Sequence, residues 1–188
     1  MFKKIALGLV ALLAGFAVVV ALQPASFAVE RTARVQAPPE LVFGHIQSLR
    51  AMDAWSPFAR MDAQMKITYE GPEAGVGSRS SWVGPQMGTG NLTVTAVKPE
   101  REVEMRLDML TPMAASNRIV FTLTPDGDGT RVRWRMEGRN GFVSKAMGLV
   151  MSVDEMVGGQ FEQGLASLQT LVEADSARRV SLVDGQAS

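Results

Sequence analysis

The sequence predicts an α+β domain in which a curved antiparallel sheet of about seven strands is closed by one long C-terminal helix, behind an apolar N-terminal helix. Three observations predict it. Residues 65–137 alternate apolar and polar side chains in short runs separated by turn residues, which is the period of strands. From Phe142 to about Glu173 apolar residues recur at three- and four-residue steps, the period of a helix. Ahead of both, Ile5 to Leu22 is an uninterrupted apolar run.

At about 1.5 Å per helical residue, that run approaches the ~30 Å hydrocarbon core of a bilayer. Residues 1–25 are therefore expected to be a single-pass membrane anchor. A cleaved leader is the rival reading, because Ser26-Phe27-Ala28 resembles a cleavage site. Cleavage there would cut into the first strand, where Phe27, Val29, Ala33 and Val35 alternate with polar neighbours and Arg31 interrupts the apolar phase. Lys3 and Lys4 precede the run and the first basic residue after it is Arg31, so the positive-inside rule predicts an extracytoplasmic domain.

Residues 26–175 are expected to form the domain. Pro38-Pro39-Glu40 suits the start of a short helix carrying Leu41, Val42, Phe43 and Ile46, and a second short helix is expected toward Trp55. Val103, Met105, Leu107 and Met109 alternate strictly with charged residues, as do Val132, Trp134 and Met136, and Asp126-Gly127-Asp128-Gly129 marks a hairpin. Short turns imply antiparallel pairing, with one wet face and one covered face. The covering element is the long helix, about eight turns if unbroken, with Val143, Met147, Val150, Val157, Phe161, Leu165, Leu168 and Val172 on one stripe. Residues 176–188 are polar enough to predict a disordered tail.

Composition excludes several functions. Nineteen basic and nineteen acidic residues leave no net charge and no basic block, which argues against nucleic acid as a partner. There is no cysteine and one histidine, His45, so a transition-metal site is not expected, and no cofactor fingerprint or serine-nucleophile motif is present. His45 is expected at the surface or an edge.

The order of elements and their motifs resembles the polyketide cyclase/dehydrase-like branch of the START-like helix-grip superfamily, the SRPBCC proteins. The resemblance is carried by Val29-Glu30-Arg31, Ala37-Pro38-Pro39-Glu40 with Val42-Phe43, Trp55-Ser56-Pro57, Tyr69-Glu70-Gly71-Pro72, Gly75-Val76-Gly77, Trp82 and Gly129-Thr130-Arg131-Val132-Arg133-Trp134. In the last helix it rests on Lys145, Met147-Gly148-Leu149, Asp154 and Phe161-Glu162 with Gly164-Leu165. It covers about Phe27 to Glu173 and implies an apolar cavity between sheet and helix, without implying an activity.

Strand phase and helical spacing assign that cavity Arg31, Tyr69, Trp82, Met105, Met109, Phe121, Trp134, Met136, Met147, Asp154 and Phe161. Its methionines suit either an adaptable ligand pocket or a soft, filled core. Asp154 lies beside the helical stripe: buried, it would have a raised pKa and could serve as an acid; at the edge, it would simply bond a neighbour. Arg31 is its expected partner. Gly148, Gly158, Gly159 and Gly164 cost the helix roughly 1 kcal/mol each relative to alanine, so close packing, flexibility or a break at Gly158-Gly159 must account for them. Three functions fit: binding of a hydrophobic small molecule or lipid at the membrane surface, a cyclase- or dehydrase-like enzyme using Asp154, Arg31 or Tyr69 on a carbonyl, and an interaction module resembling chaperone activators.

Overall fold

A computed structural model describes residues 2–186. The chain runs α1 (Phe2–Ala21), β1 (Ser26–Val35), α2 (Pro39–Gln47), α3 (Leu49–Met52), a 3₁₀ helix (Pro57–Arg60), β2 (Lys66–Glu70), β3 (Arg79–Gly84), β4 (Gly88–Lys98), β5 (Glu102–Thr111), β6 (Ala115–Asp126), β7 (Gly129–Arg139), α4 (Phe142–Met147) and α5 (Val153–Gln186). The strands form one seven-stranded antiparallel sheet in the order β1-β7-β6-β5-β4-β3-β2. It is an α+β helix-grip fold.

Local chemistry explains the small elements. Pro38 and Pro39 open α2 with Glu40 in its first turn, and the Ser48 hydroxyl accepts from the Ala51 N–H to start α3. The Trp55 indole donates to the His45 carbonyl at 3.1 Å, clamping α2 to the following turn. Gly127 takes a positive φ of 65° in the β6–β7 hairpin, where a side chain would be strained. Register breaks at Thr89/Gly90 and Val94/Ala96 bend β4 and give the sheet its curvature.

Residues paired across strands share a face. One face carries Val29, Met136, Ile119, Met105 and Val94 in a single row, all buried, and against it lie Leu41, Val42, Phe43 and Ile46 of α2 and Phe161, Leu165, Leu168 and Val172 of α5. The other face is a ladder of charge pairs. Arg118 holds both Glu104 and Glu137, and Arg135 reaches Glu30 at 3.2 Å.

The C-terminal region departs from expectation in two ways. The helix is two helices, broken at Gly148–Ser152 and continuous through Gly158-Gly159. The break is made by a capping box: the Ser152 hydroxyl accepts from the Glu155 N–H at 3.1 Å, and the Glu155 carboxylate accepts from the Ser152 N–H at 2.7 Å. This restarts the helix at Val153 and detaches α4 from the α5 stripe. The expected disordered tail is helical as far as Gln186: Ala174, Ala177 and the two arginines favour helix, and Arg178 pairs with Asp175 at 2.9 Å.

α1 is long and apolar enough to cross a bilayer, with a mean hydropathy of 2.4. Its last turn is tied to the domain, since Val20 is fully buried and Lys145 of α4 donates to the Ala21 carbonyl at 3.2 Å.

Candidate functional site

The concave face of the sheet is not covered evenly. Around Trp134 the space below α5 is filled by rings. Trp134 stacks on Phe161 with centroids 4.1 Å apart, lies 4.9 Å from Phe121, and is met edge-on by Trp55 and Phe58. The sheet can approach α5 this closely because Gly164 faces the Trp134 ring, and a Cβ there would come within 2.8 Å of it. This half of the expected cavity is therefore a packed core, because aromatic side chains occupy the volume between sheet and helix.

Toward the β2 edge the same face opens. Ile67, Tyr69, Trp82, Leu92, Leu107 and Met109 share the concave side by register and are all half-buried. α5 packs on β1, α2 and the 3₁₀ helix, at the other side of the sheet. Trp82 lies flat across Gly90 of the neighbouring strand, where a Cβ would come within 2.4 Å of the ring, and its indole donates to the Met87 carbonyl at 3.5 Å. Asp62 holds the nearby β3–β4 turn: its buried carboxylate accepts from the N–H groups of Gln64, Gln86 and Met87. Burial pushes that carboxyl up, and the three N–H groups more than reverse it, so its pKa falls below the usual value.

A polar cluster borders this open half. The Tyr69 hydroxyl donates to Asp53, and the Arg50 guanidinium lies 4.2 Å from the Tyr69 ring centroid. Burial raises the Asp53 pKa, with Arg50 opposing.

Of the eleven residues assigned from sequence, Met105, Phe121, Trp134, Met136 and Phe161 are buried on the concave side, and Tyr69, Trp82 and Met109 stand half-buried in its open part. Met147 does not line the interior. It is exposed in α4, because the break before Val153 takes it off the α5 stripe.

Arg31 and Asp154 do meet, as a two-bond pair at 2.8 and 2.9 Å, and Glu162 joins Arg31 at 2.6 Å. The pair sits at the domain edge, with the Asp154 side chain 50% exposed. Hydrogen bonding to Arg31 lowers the Asp154 pKa, so the raised pKa of a buried acid is replaced by its opposite. Gly158 leaves room for this cluster, since a Cβ there would lie 2.2 Å from the guanidinium.

The sequence reading missed Asp53 and Arg50, whose roles depend on β2 folding back over α3. It named Glu162 only as part of a motif and missed its pairing with Arg31, although Asp154, Gly158 and Glu162 stand at four-residue steps on α5. His45, expected at an edge, bridges α2 to Asp175 at 2.9 Å. Two surface depressions lie elsewhere. One of about 640 Å³ sits over the charge ladder of the outer face, and one of about 220 Å³ lies between the 3₁₀ helix and α5. In the larger, arginines and carboxylates pair with each other, leaving little unmatched charge for a ligand. Among the described residues no cluster of potential metal ligands occurs.

A curved antiparallel sheet gripping a C-terminal helix, with an apolar concave face, defines the helix-grip class. Within it, the family model for polyketide cyclase/dehydrase and lipid transport matches residues 26–173, and the chain belongs to that family. Solved structures with the same fold include protein CV1439 from Chromobacterium violaceum (17% identity, TM-score 0.58, covering 78% of this chain and 96% of that one). Protein MLL2253 from Mesorhizobium loti (20%, 0.56, 79% and 97%) and the Aha1 dimer from Colwellia psychrerythraea (16%, 0.56, 78% and 96%) are similar to it in the same way. Among curated proteins, none matches the sequence.

Proposed function

We propose that this protein binds a hydrophobic small molecule or lipid on the open half of its concave face, at a membrane surface to which α1 anchors it. The single observation that carries this reading is the graded cover of one continuous face. Met105, Ile119 and Met136 are sealed under the helices, whereas Trp82, Leu92, Leu107 and Met109, one or two register steps away, are apolar and half-exposed. An apolar surface left half-open inside a concave sheet is what a hydrophobic ligand would cover. The family's association with lipid transport supports it. The two lysines in the first turn of α1 favour an extracytoplasmic domain.

Native mass spectrometry of the full chain, released gently from membranes, tests the reading. An apolar adduct is expected on the wild type and should be lost in Trp82→Asp. A bare chain in both would overturn it.

The Asp53–Tyr69 cluster favours a second reading, an enzyme that polarises a carbonyl. A carboxyl with a raised pKa bonded to a phenol at the edge of an apolar face can donate a proton to a bound oxygen. Under this reading Tyr69→Phe retains the adduct but leaves a bound β-dicarbonyl probe unreacted. Reaction of that probe at the wild-type rate in the variant would remove Tyr69 from the chemistry.

A further inference from the structure

The two ends of the sheet differ in kind. At one end lie the β4–β5 turn, with Lys98, Glu100, Arg101 and Glu102, and the β6–β7 turn, with Asp126 and Asp128. At the other end the register brings together the β3–β4 turn (Gly84 opposite Gly88), the β5–β6 turn (Met109 opposite Ala115) and the junction of β1 with β7 (Ser26 opposite Arg139). α1 enters and α4 leaves at this second end.

Its turns are apolar. Residues 83–89 and 109–117 contain no charged residue, and residues 138–153 contain Arg139 and Lys145 but no acid. Val83, Leu110, Met113, Phe142, Val150 and Met151 are all exposed there, Val150 at 90% of its surface. Three separate chain segments contribute, so the patch is a property of this end of the fold and not of one loop. Scattered exposed apolar residues need no explanation, but several gathered at one end of a sheet whose other end is charged do.

We infer that this rim is a second membrane contact, seated in the interfacial layer of the same bilayer that α1 crosses. Three observations name the bilayer as the occupant. α1 joins the domain at this same end, its last turn fixed to α4 by the buried Val20 and by the Lys145–Ala21 bond, so a bilayer holding α1 is brought toward the rim. Arg139 and Lys145 suit anionic headgroups, and the acids that follow are engaged within the domain, Asp154 by Arg31 and Glu155 by the Ser152 N–H. α4 and the following residues present apolar side chains beside a lysine, as interfacial segments do. The rim orients the domain so that the open half of the concave face is entered from the lipid side. The inference rests on α1 lying in a bilayer and not on any bound ligand.

The chain has no cysteine, so single labels can be placed freely. Full-length Leu12→Cys, Leu110→Cys, Val150→Cys and Glu100→Cys, each carrying an environment-sensitive nitrobenzoxadiazole label, would be placed in phosphatidylcholine/phosphatidylglycerol nanodiscs with or without spin-labelled lipid. All four positions are exposed, so the substitutions remove no core contact, and near-ultraviolet tryptophan dichroism checks the fold. The labels at Leu12, Leu110 and Val150 are expected to lose most of their emission to spin-labelled lipid, and the label at Glu100 to keep it. Quenching at Leu12 with Leu110 and Val150 unquenched like Glu100 would overturn the rim while leaving the anchor in place. Rim labels shielded from water yet not quenched would mean that a second copy covers this end, and would also overturn it. No quenching at Leu12 would remove the anchor and the inference together.

Discussion

The β1–β7–β6 half of the sheet and the β4–β3–β2 half are built on the same alternation, yet only the first is sealed. Under α5, Trp134 and Phe161 stack and Gly164 removes the side chain that would hold them apart. At the far edge Trp82 lies on Gly90 and is left half-buried, and Tyr69 turns its hydroxyl to Asp53. The difference teaches that strand pattern decides which face is apolar, while helix placement decides how much of that face remains to bind something. Stability should therefore reside in the closed half and recognition in the open half.

The largest effect is expected in the closed half. Trp134→Ala should destabilise the domain by about 3–5 kcal/mol, because it removes a buried ring that four other aromatic residues touch. A urea midpoint measures this, and a loss below 1 kcal/mol would show that the core is looser than described. Trp82→Ala should cost only about 1–2 kcal/mol, since its ring is half-exposed, while weakening uptake of a fluorescent fatty acid. Equal destabilisation by the two substitutions would erase the distinction between the halves.

Two glycines of α5 sharpen the comparison. Gly164→Ala sets a Cβ against the fixed Trp134 ring and should destabilise by about 1–3 kcal/mol through overpacking. Gly158→Ala meets only the end of the flexible Arg31 side chain, which can swing away, and the helix gains roughly 1 kcal/mol of propensity. Its melting temperature should be unchanged or slightly raised, and a large fall would mean that the Arg31 cluster matters more than its exposure suggests.

A small effect that depends on pH belongs to Asp154. Its pKa is lowered in the folded chain, so its stabilisation is present above the unfolded carboxylate value of about 4 and is lost as pH falls through the lowered folded value. Asp154→Asn should lower the melting temperature modestly at neutral pH, and the gap to wild type should close as pH falls below about 4. A gap that persists in acid would show that the side chain acts by packing and not by charge.

Much of this was legible in sequence. The alternation in Val103–Met109 and Val132–Met136 marks the apolar face correctly, and the misfit of Arg31 and Asp154 with their elements points to their pairing. The capping box Ser152-Val153-Asp154-Glu155 was readable too, but the apolar residues on either side of it continue the helical period and mask the break. The polar border of the open half could not be read. Arg50 lies in a short helix and Asp53 at its C-terminal cap, where the pattern carries no sign of β2, and Tyr69 finds them only through tertiary folding. The filled core below Trp134 was equally hidden, because apolar residues that line a cavity and those that fill one have the same periodicity.

Hydrogen exchange of the full chain in nanodiscs, with and without added oleic acid, tests the central claim most directly. Backbone amides of β2, β3 and β4 should become slower to exchange when oleate is present, while those of β1 and β7, already sealed beneath α5, should not change. Protection confined to β1 and β7, or no protection in any strand, would contradict the assignment of binding to the open half.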